Sequence, residues 1–260
     1  MQFDEYQFAG AGGYPIYLRR WRPSVPARAS LVLSHGLGEH CGRYEHVARR
    51  LVESGVTVYG HDHQGHGKSG GTVGTVENFE DFLEDLATVI GRARSENEGK
   101  RLFLLGHSMG GLIATAYVLE KADKPDRLIL SGPAIVPLMA AGERTIDATK
   151  LSRDPEMQKL YLTDPLVLRE RVKDDLYGKL ADGLALLPGR AGEISMPILL
   201  LHGGDDALCS AEGAEAYVRS TAGDDITVKI YPGGRHESFN EINREQVLED
   251  LVSWVEARIV

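Results

Sequence analysis

The pentapeptide Gly106-His107-Ser108-Met109-Gly110 constrains this chain more than any other feature. It follows a short apolar run, Leu102-Phe103-Leu104-Leu105, and precedes a longer one, Leu112 to Leu119, with the character of a helix. The order is strand, tight turn, helix, which is the context a G-x-S-x-G sequence needs to act as a nucleophile elbow. A turn that sharp tolerates only small residues two positions either side of Ser108, and glycine stands at both. The Ser108 hydroxyl would stand clear of the sheet at the start of the next helix, where backbone N–H groups and the helix dipole favour developing negative charge. The competing reading is a glycine-rich turn that only lets two backbones pack closely.

Strand-length apolar runs alternate with helical patterns along the rest of the chain. Tyr14 to Trp21 alternates and predicts an early antiparallel strand. A buried strand is predicted at Ser30–Leu33, and further strands at Val56–Tyr59, Arg127–Leu130, Pro197–Leu201 and Ile226–Ile230. Helices are predicted from Arg43 to Ser54, closed by Gly55, from Asn78 to Arg94, from Ala211 to Ser220 and from Arg244 to Val260. This alternation implies an α/β fold with a mostly parallel central sheet flanked by helices on both faces. From Pro133 to about Arg190 the rhythm breaks into helical pieces interrupted by Pro and Gly. An insertion after a strand's C-terminal end overlies the place where open α/β sheets bind ligands. The expected organisation is a body at 1–133 and 190–260, with a helical cap at 134–189. Ile135, Val136, Leu138 and Met139 make the start of that cap apolar, suited either to an acyl chain and a lipid surface or to packing on the body.

The 260 residues are 42% hydrophobic, enough for one sizeable core. A net charge of −9 without a dense basic stretch argues against nucleic acid as a partner. Cys41 and Cys209 do not make a disulfide framework. The first residues, Met1-Gln2-Phe3-Asp4-Glu5-Tyr6, lack the basic and apolar regions of a signal peptide, and no apolar run approaches the ~20 residues of a membrane span. The expectation is a cytoplasmic protein, open to peripheral membrane contact through the cap.

A serine hydroxyl is a weak nucleophile until a base takes its proton, and the base needs an orienting acid. In α/β-hydrolases the chain order is Ser, acid, His. His202 and His236 are the histidines downstream of Ser108. His202 ends a strand before Gly203-Gly204 and reads as structural, whereas His236 lies in a loop after the last strand and reads as the base. Asp205 and Asp206 both follow the preceding strand; the spacing favours Asp206 as the acid, with Asp205 forming the turn. The other position used by some hydrolases is vacant, since Ser131-Gly132-Pro133 carries no carboxylate. The oxyanion donors should be the N–H groups of Met109, after the nucleophile, and of Leu37, in the loop Ser34-His35-Gly36-Leu37-Gly38-Glu39-His40.

That loop, with Gly42-Arg43-Tyr44, resembles the H-G-x-G-E-H-x-G-R-Y stretch of monoacylglycerol lipases and related lysophospholipase-like serine hydrolases. Asp62-His63-Gln64-Gly65-His66-Gly67-Lys68-Ser69 is similar to their D-x-x-G-H-G-x-S turn, Gly106 to Gly111 to their elbow, and Asp206-Ala207-Leu208-Cys209 to their acid segment. The resemblance covers about 3–133 and 190–260. It implies an α/β-hydrolase that cleaves monoacylglycerol to glycerol and fatty acid without cofactor or metal, using Ser108, Asp206 and His236 with Leu37 and Met109. It further implies Glu39, Arg43 and His107 as contacts for the glycerol head group, and places Cys209 beside the acid. Asp164-Pro165-Leu166-Val167-Leu168-Arg169 also looks like a family segment. The stretch from Pro133 to Leu151 is much shorter than in mammalian relatives, so acyl-length preference and membrane docking do not carry over.

Other readings stand beside this one. His61-x-His63-x-x-His66 resembles the H-x-H-x-D-H run of metallo-β-lactamase-type zinc hydrolases, although Gly65 occupies the aspartate position. Loss of activity on chelation, restored by zinc, would favour it. A receptor or scaffold on a retained hydrolase body would leave Ser108 unlabelled by a serine-reactive phosphonate. Carboxylesters, lysophospholipids and peptides are alternative substrates on this fold. A peptidase needs a carboxylate for the substrate amine, and Glu39 is the obvious candidate. Epoxide and haloalkane chemistry belongs to relatives with Asp where Ser108 stands.

Overall fold

β-branched and leucine-rich segments form the strands β3 (Ala29–Ser34), β4 (Val56–His61), β5 (Arg101–His107), β6 (Arg127–Ser131) and β7 (Ile198–Gly203), buried almost throughout. They are seen in a computed structural model that describes residues 1–137 and 147–259, the side chain of Glu170 excepted. Leu138 and Met139 of the expected apolar cap surface therefore lie outside the described residues. With β1 (Gln2–Ala9), β2 (Pro15–Arg22) and β8 (Ile226–Tyr231), the described strands make one eight-stranded sheet in the order β1-β2-β4-β3-β5-β6-β7-β8. From β4 to β8 every neighbouring pair is parallel, while β2 joins β4, and β1 joins β2, antiparallel.

Alternate residues of the buried strands serve opposite faces. Leu31, Leu33, Phe103 and Leu105 meet α1 (Glu45–Glu53) and α8 (Arg244–Glu256) through Val47, Leu51, Leu251 and Trp254. Val32, Leu102 and Leu104 meet α2 (Phe79–Glu96) and α3 (Met109–Glu120) through Phe82, Leu86, Ile113 and Val118. Helix α3 is apolar on every side, and all its residues from Met109 to Leu119 are buried. It is held between sheet and helices, which fixes the turn at its start.

The 134–189 stretch divides by packing. Helices α4 (Ala148–Leu151) and α5 (Pro155–Thr163), with Val167, share a small apolar cluster with Leu208 and Cys209, beside the loop that follows β7. Helix α6 (Asp174–Leu184) instead puts Leu176 into the core of α2 and α3, and Gly183 lies so close to Phe79 that a Cβ there would be 2.4 Å from its ring. Helix α7 (Ala211–Arg219) completes the same face. Among the described residues, no helix is long and apolar enough to cross a membrane.

Candidate active site

Ser108 lies between β5 and α3 with φ 51° and ψ −119°, a conformation a residue with a side chain adopts only when its surroundings impose it. Those surroundings are visible. The Ser108 N–H donates to the Ser131 carbonyl at 3.0 Å, and its carbonyl accepts from Gly111 and Ala134 N–H at 2.8 and 2.9 Å. The flanking glycines are sterically required: a Cβ on Gly106 would stand 2.3 Å from the Gly110 carbonyl oxygen, and one on Gly110 would stand 2.1 Å from that of Ser34. Met109 opens α3, so its N–H belongs to the first turn, whose donors have no partner within the helix.

The loop after β7 delivers Asp206, and the loop after β8 delivers His236. His236 Nδ1–H donates to Asp206 Oδ2 at 2.8 Å, which leaves Nε2 as the ring's free base. The other carboxylate oxygen, Oδ1, accepts from the N–H groups of Leu208 and Cys209 at 2.8 and 3.1 Å. Asp205 is exposed beside it. Burial alone would raise the Asp206 pKa, but the His236 and His202 imidazoles outweigh it and hold the carboxyl far below its ordinary range. Burial would likewise lower His236, and the Asp206 charge overcomes that, so its pKa lies above the usual 6.5. His202, structural by its position in the sequence, places its Nε2 2.9 Å from the same Asp206 Oδ2. Its place at a strand end before two glycines gave no sign of that contact.

Gly132, which follows β6, closes the group. A Cβ there would stand 2.9 Å from the His236 carbonyl and 3.5 Å from Asp206 Oδ2. Opposite, the loop after β3 brings Gly36 to Ser108, where a Cβ on Gly36 would be 3.2 Å from the serine's own. Leu37, the next residue, is half-buried there.

Glu39 braces this loop from beneath. Its Oε1 accepts from Gly36 N–H and from the Tyr44 hydroxyl, both at 2.6 Å, and its Oε2 accepts from Arg43 at 2.8 Å. Arg43 in turn forks onto both oxygens of Glu237 at 2.6 and 2.7 Å. Burial would raise the Glu237 pKa, but Arg43 brings it down to about 2. His107 Nδ1–H donates to the Ser131 carbonyl at 2.9 Å, and its ring lies 4.9 Å from that of His236. Burial keeps His107 neutral, with a pKa lowered to about 4. Glu39, Arg43 and His107 thus cluster around the loop after β3 and the elbow, each already engaged by protein partners.

The sequence profile of the Hydrolase_4 family, described as "Serine aminopeptidase, S33", matches residues 25–243. The chain belongs to this family. A monoacylglycerol lipase from Mycolicibacterium smegmatis is 36% identical over 278 residues, covering 97% of this chain and 96% of that protein. The monoglyceride lipase of Mus musculus is 33% identical, covering 98% of this chain and 91% of its own. The crystal structure of the Paleococcus ferrophilus monoacylglycerol lipase superposes with a TM-score of 0.83 at 30% identity, covering 93% of this chain and 98% of that one. The fold is that of the α/β-hydrolases, and the chain is a carboxylic ester hydrolase.

Within the histidine run of this hydrolase, His63 braces the oxyanion loop. His63 Nε2 meets the Ser34 hydroxyl at 3.1 Å, the His63 N–H donates to His35 Nε2 at 2.9 Å, and His66 Nδ1 meets the Gln64 carbonyl at 3.1 Å. Among the described residues, the one set of three His, Cys or carboxylate side chains whose ligand atoms converge within 4.8 Å is Asp206, Cys209 and His236. The zinc reading of His61, His63 and His66 therefore has no ligand geometry behind it.

These imidazoles set an acid limit on folding. His35, His61, His63 and His66 are fully buried, and burial lowers all their pKa values, that of His61 to about 4. Each is neutral when folded but titrates near 6.5 when unfolded, so its contribution is intact above 6.5 and is lost as pH falls towards the folded value. His61 alone carries about 3 kcal/mol over that interval. Asp85, which burial raises to about 6, and His236, which the Asp206 charge holds above 6.5, act in the opposite sense but are two groups against four. Thermal unfolding followed from pH 7 to pH 4 should show a steep fall in Tm; a flat profile would contradict this account.

Proposed function

We propose that this enzyme hydrolyses monoacylglycerols to glycerol and a fatty acid through an acyl-enzyme at Ser108. His236 Nε2 takes the Ser108 proton as the hydroxyl attacks the ester carbonyl, then returns it to the leaving glycerol oxygen. Asp206 holds the imidazole in the tautomer with Nδ1–H and stabilises the imidazolium. The N–H groups of Leu37 and Met109 receive the oxyanion. Water, activated by the same histidine, then releases the fatty acid, and the cycle needs no cofactor. The observation that carries the reading is the buried Asp206–His236 pair at 2.8 Å, its imidazole 4.9 Å from the ring of His107, the residue before the strained elbow serine.

Glu39 and Arg43 act in this reading through the loop they hold, and His107 walls the head-group end of the site. The substrate class rests on the likeness to monoacylglycerol lipases over nearly the whole chain. Aminopeptidase cleavage, which the family description would admit, needs a carboxylate free to bind the substrate's terminal amine, and Glu39 is occupied by Gly36, Tyr44 and Arg43. The α4–α5 segment is the cap in this proposal, and Leu160 and Leu162, about half exposed, are its described apolar side chains fit to touch a lipid surface. Initial rates on mono-, di- and triacylglycerols of several acyl lengths, with an aminoacyl anilide for comparison, test it. Monoacylglycerol should lead clearly, and a preference for triacylglycerol or the anilide would refute the proposal.

A further inference from the structure

Asp206 Oδ2 receives two imidazoles: His236 Nδ1 at 2.8 Å and His202 Nε2 at 2.9 Å. His202 Nε2 also lies 3.2 Å from the Cys209 carbonyl. Both neighbours of that nitrogen are acceptors, so Nε2 carries the proton and donates. The ring is fully buried at the end of β7, and its Nδ1 has no hydrogen-bond partner among the described residues. The one N–H of the side chain is therefore shared between the acid, at the shorter distance, and the Cys209 carbonyl. With Leu208 and Cys209 N–H groups on Oδ1, every contact on the carboxylate is a donor, and His202 is the fixed donor that shares an oxygen with the proposed base.

From this geometry we infer that His202 is a positioning residue of the hydrolytic reaction, a role that rests on Ser108, Asp206 and His236 forming the triad. It aims the Asp206 carboxylate and draws off part of the charge on Oδ2 that would otherwise act on His236. Two consequences follow from removing the donor. The carboxylate becomes free to turn, so His236 loses its alignment and turnover falls. The undispersed charge also holds the His236 proton more tightly, so the acid limb of the pH–rate profile moves to higher pH.

The test compares His202→Leu, His202→Asn and His202→Gln in the full chain, measuring kcat, KM and the pH dependence of kcat/KM on a soluble ester. Glutamine places an amide N–H near the position of Nε2, whereas asparagine falls short of Oδ2 and leucine has no donor. The leucine and asparagine variants should lose on the order of 10- to 100-fold in kcat with KM little changed, the scale of a hydrogen bond to a charged group. Their acid limbs should move up, and glutamine should restore both values. Equal impairment of all three variants, or a limb that stays in place when kcat falls, would reduce His202 to a packing residue and overturn the inference. If leucine does not fold, the glutamine–asparagine pair decides alone. Ser108→Ala, run alongside, separates the levels: an active Ser108→Ala sinks the triad and this inference with it, whereas an inactive one with indifferent His202 variants sinks the inference alone.

Discussion

Ser108→Ala should lose on the order of 10³-fold or more in kcat on any ester substrate. Alanine keeps the Cβ and the backbone, so the elbow, the oxyanion N–H groups and the Asp206–His236 pair remain while the attacking oxygen is gone. The same variant should no longer be labelled by a serine-reactive phosphonate, and near-normal turnover would end the mechanism. Stability makes the loss interpretable. At φ 51° and ψ −119° a side chain is strained, at a cost of about 1–3 kcal/mol for such positions. Ser108→Gly should therefore be equally inactive yet no less stable than the parent, with a Tm equal or higher. A glycine variant both inactive and strongly destabilised would mean that Ser108 holds the fold together rather than performing chemistry.

What the sequence revealed and what it hid divide along physical lines. The buried parallel strands were readable because a segment with both faces covered must be apolar throughout, and their limits agree with the structure to within a few residues. The antiparallel strand predicted from Tyr14 to Trp21 is β2. The segment β1 gave no such signal: Gln2-Phe3-Asp4-Glu5-Tyr6-Gln7-Phe8-Ala9 is an edge strand with no fully buried residue. It is held by backbone pairing to β2 and by side chains such as Arg20 on Asp4, which are not local in sequence. The 134–189 insertion could be seen as helical, but no local pattern says whether a helix covers the strand ends or joins the core. Helix α6 does the latter because Leu176 and Gly183 fit against α2 and α3, a matter of shape between distant segments. In the same way, motif spacing brought Asp206 and His236 forward, whereas the second imidazole on Asp206 became visible only in three dimensions.

Asp206→Asn should cost on the order of 10⁴-fold in kcat, the scale seen when a triad acid becomes an amide. The hydrogen-bond polarity dictates it. Leu208 and Cys209 N–H groups point at Oδ1, so the amide oxygen of an asparagine would settle there. Its NH₂ would then replace Oδ2 and face His202 Nε2–H and His236 Nδ1–H, placing donor against donor twice. His236 can escape by moving its proton to Nε2, but an Nε2–H ring cannot accept the Ser108 proton. Asp205→Asn is the matched control, because Asp205 is exposed in the same turn and its change should alter kcat by no more than a few-fold. Circular dichroism and Tm of both variants distinguish a wrong tautomer from a lost fold, since the first leaves the folded spectrum intact. A severe loss in Asp205→Asn with a mild one in Asp206→Asn would reassign the acid, and with it the role given to His202.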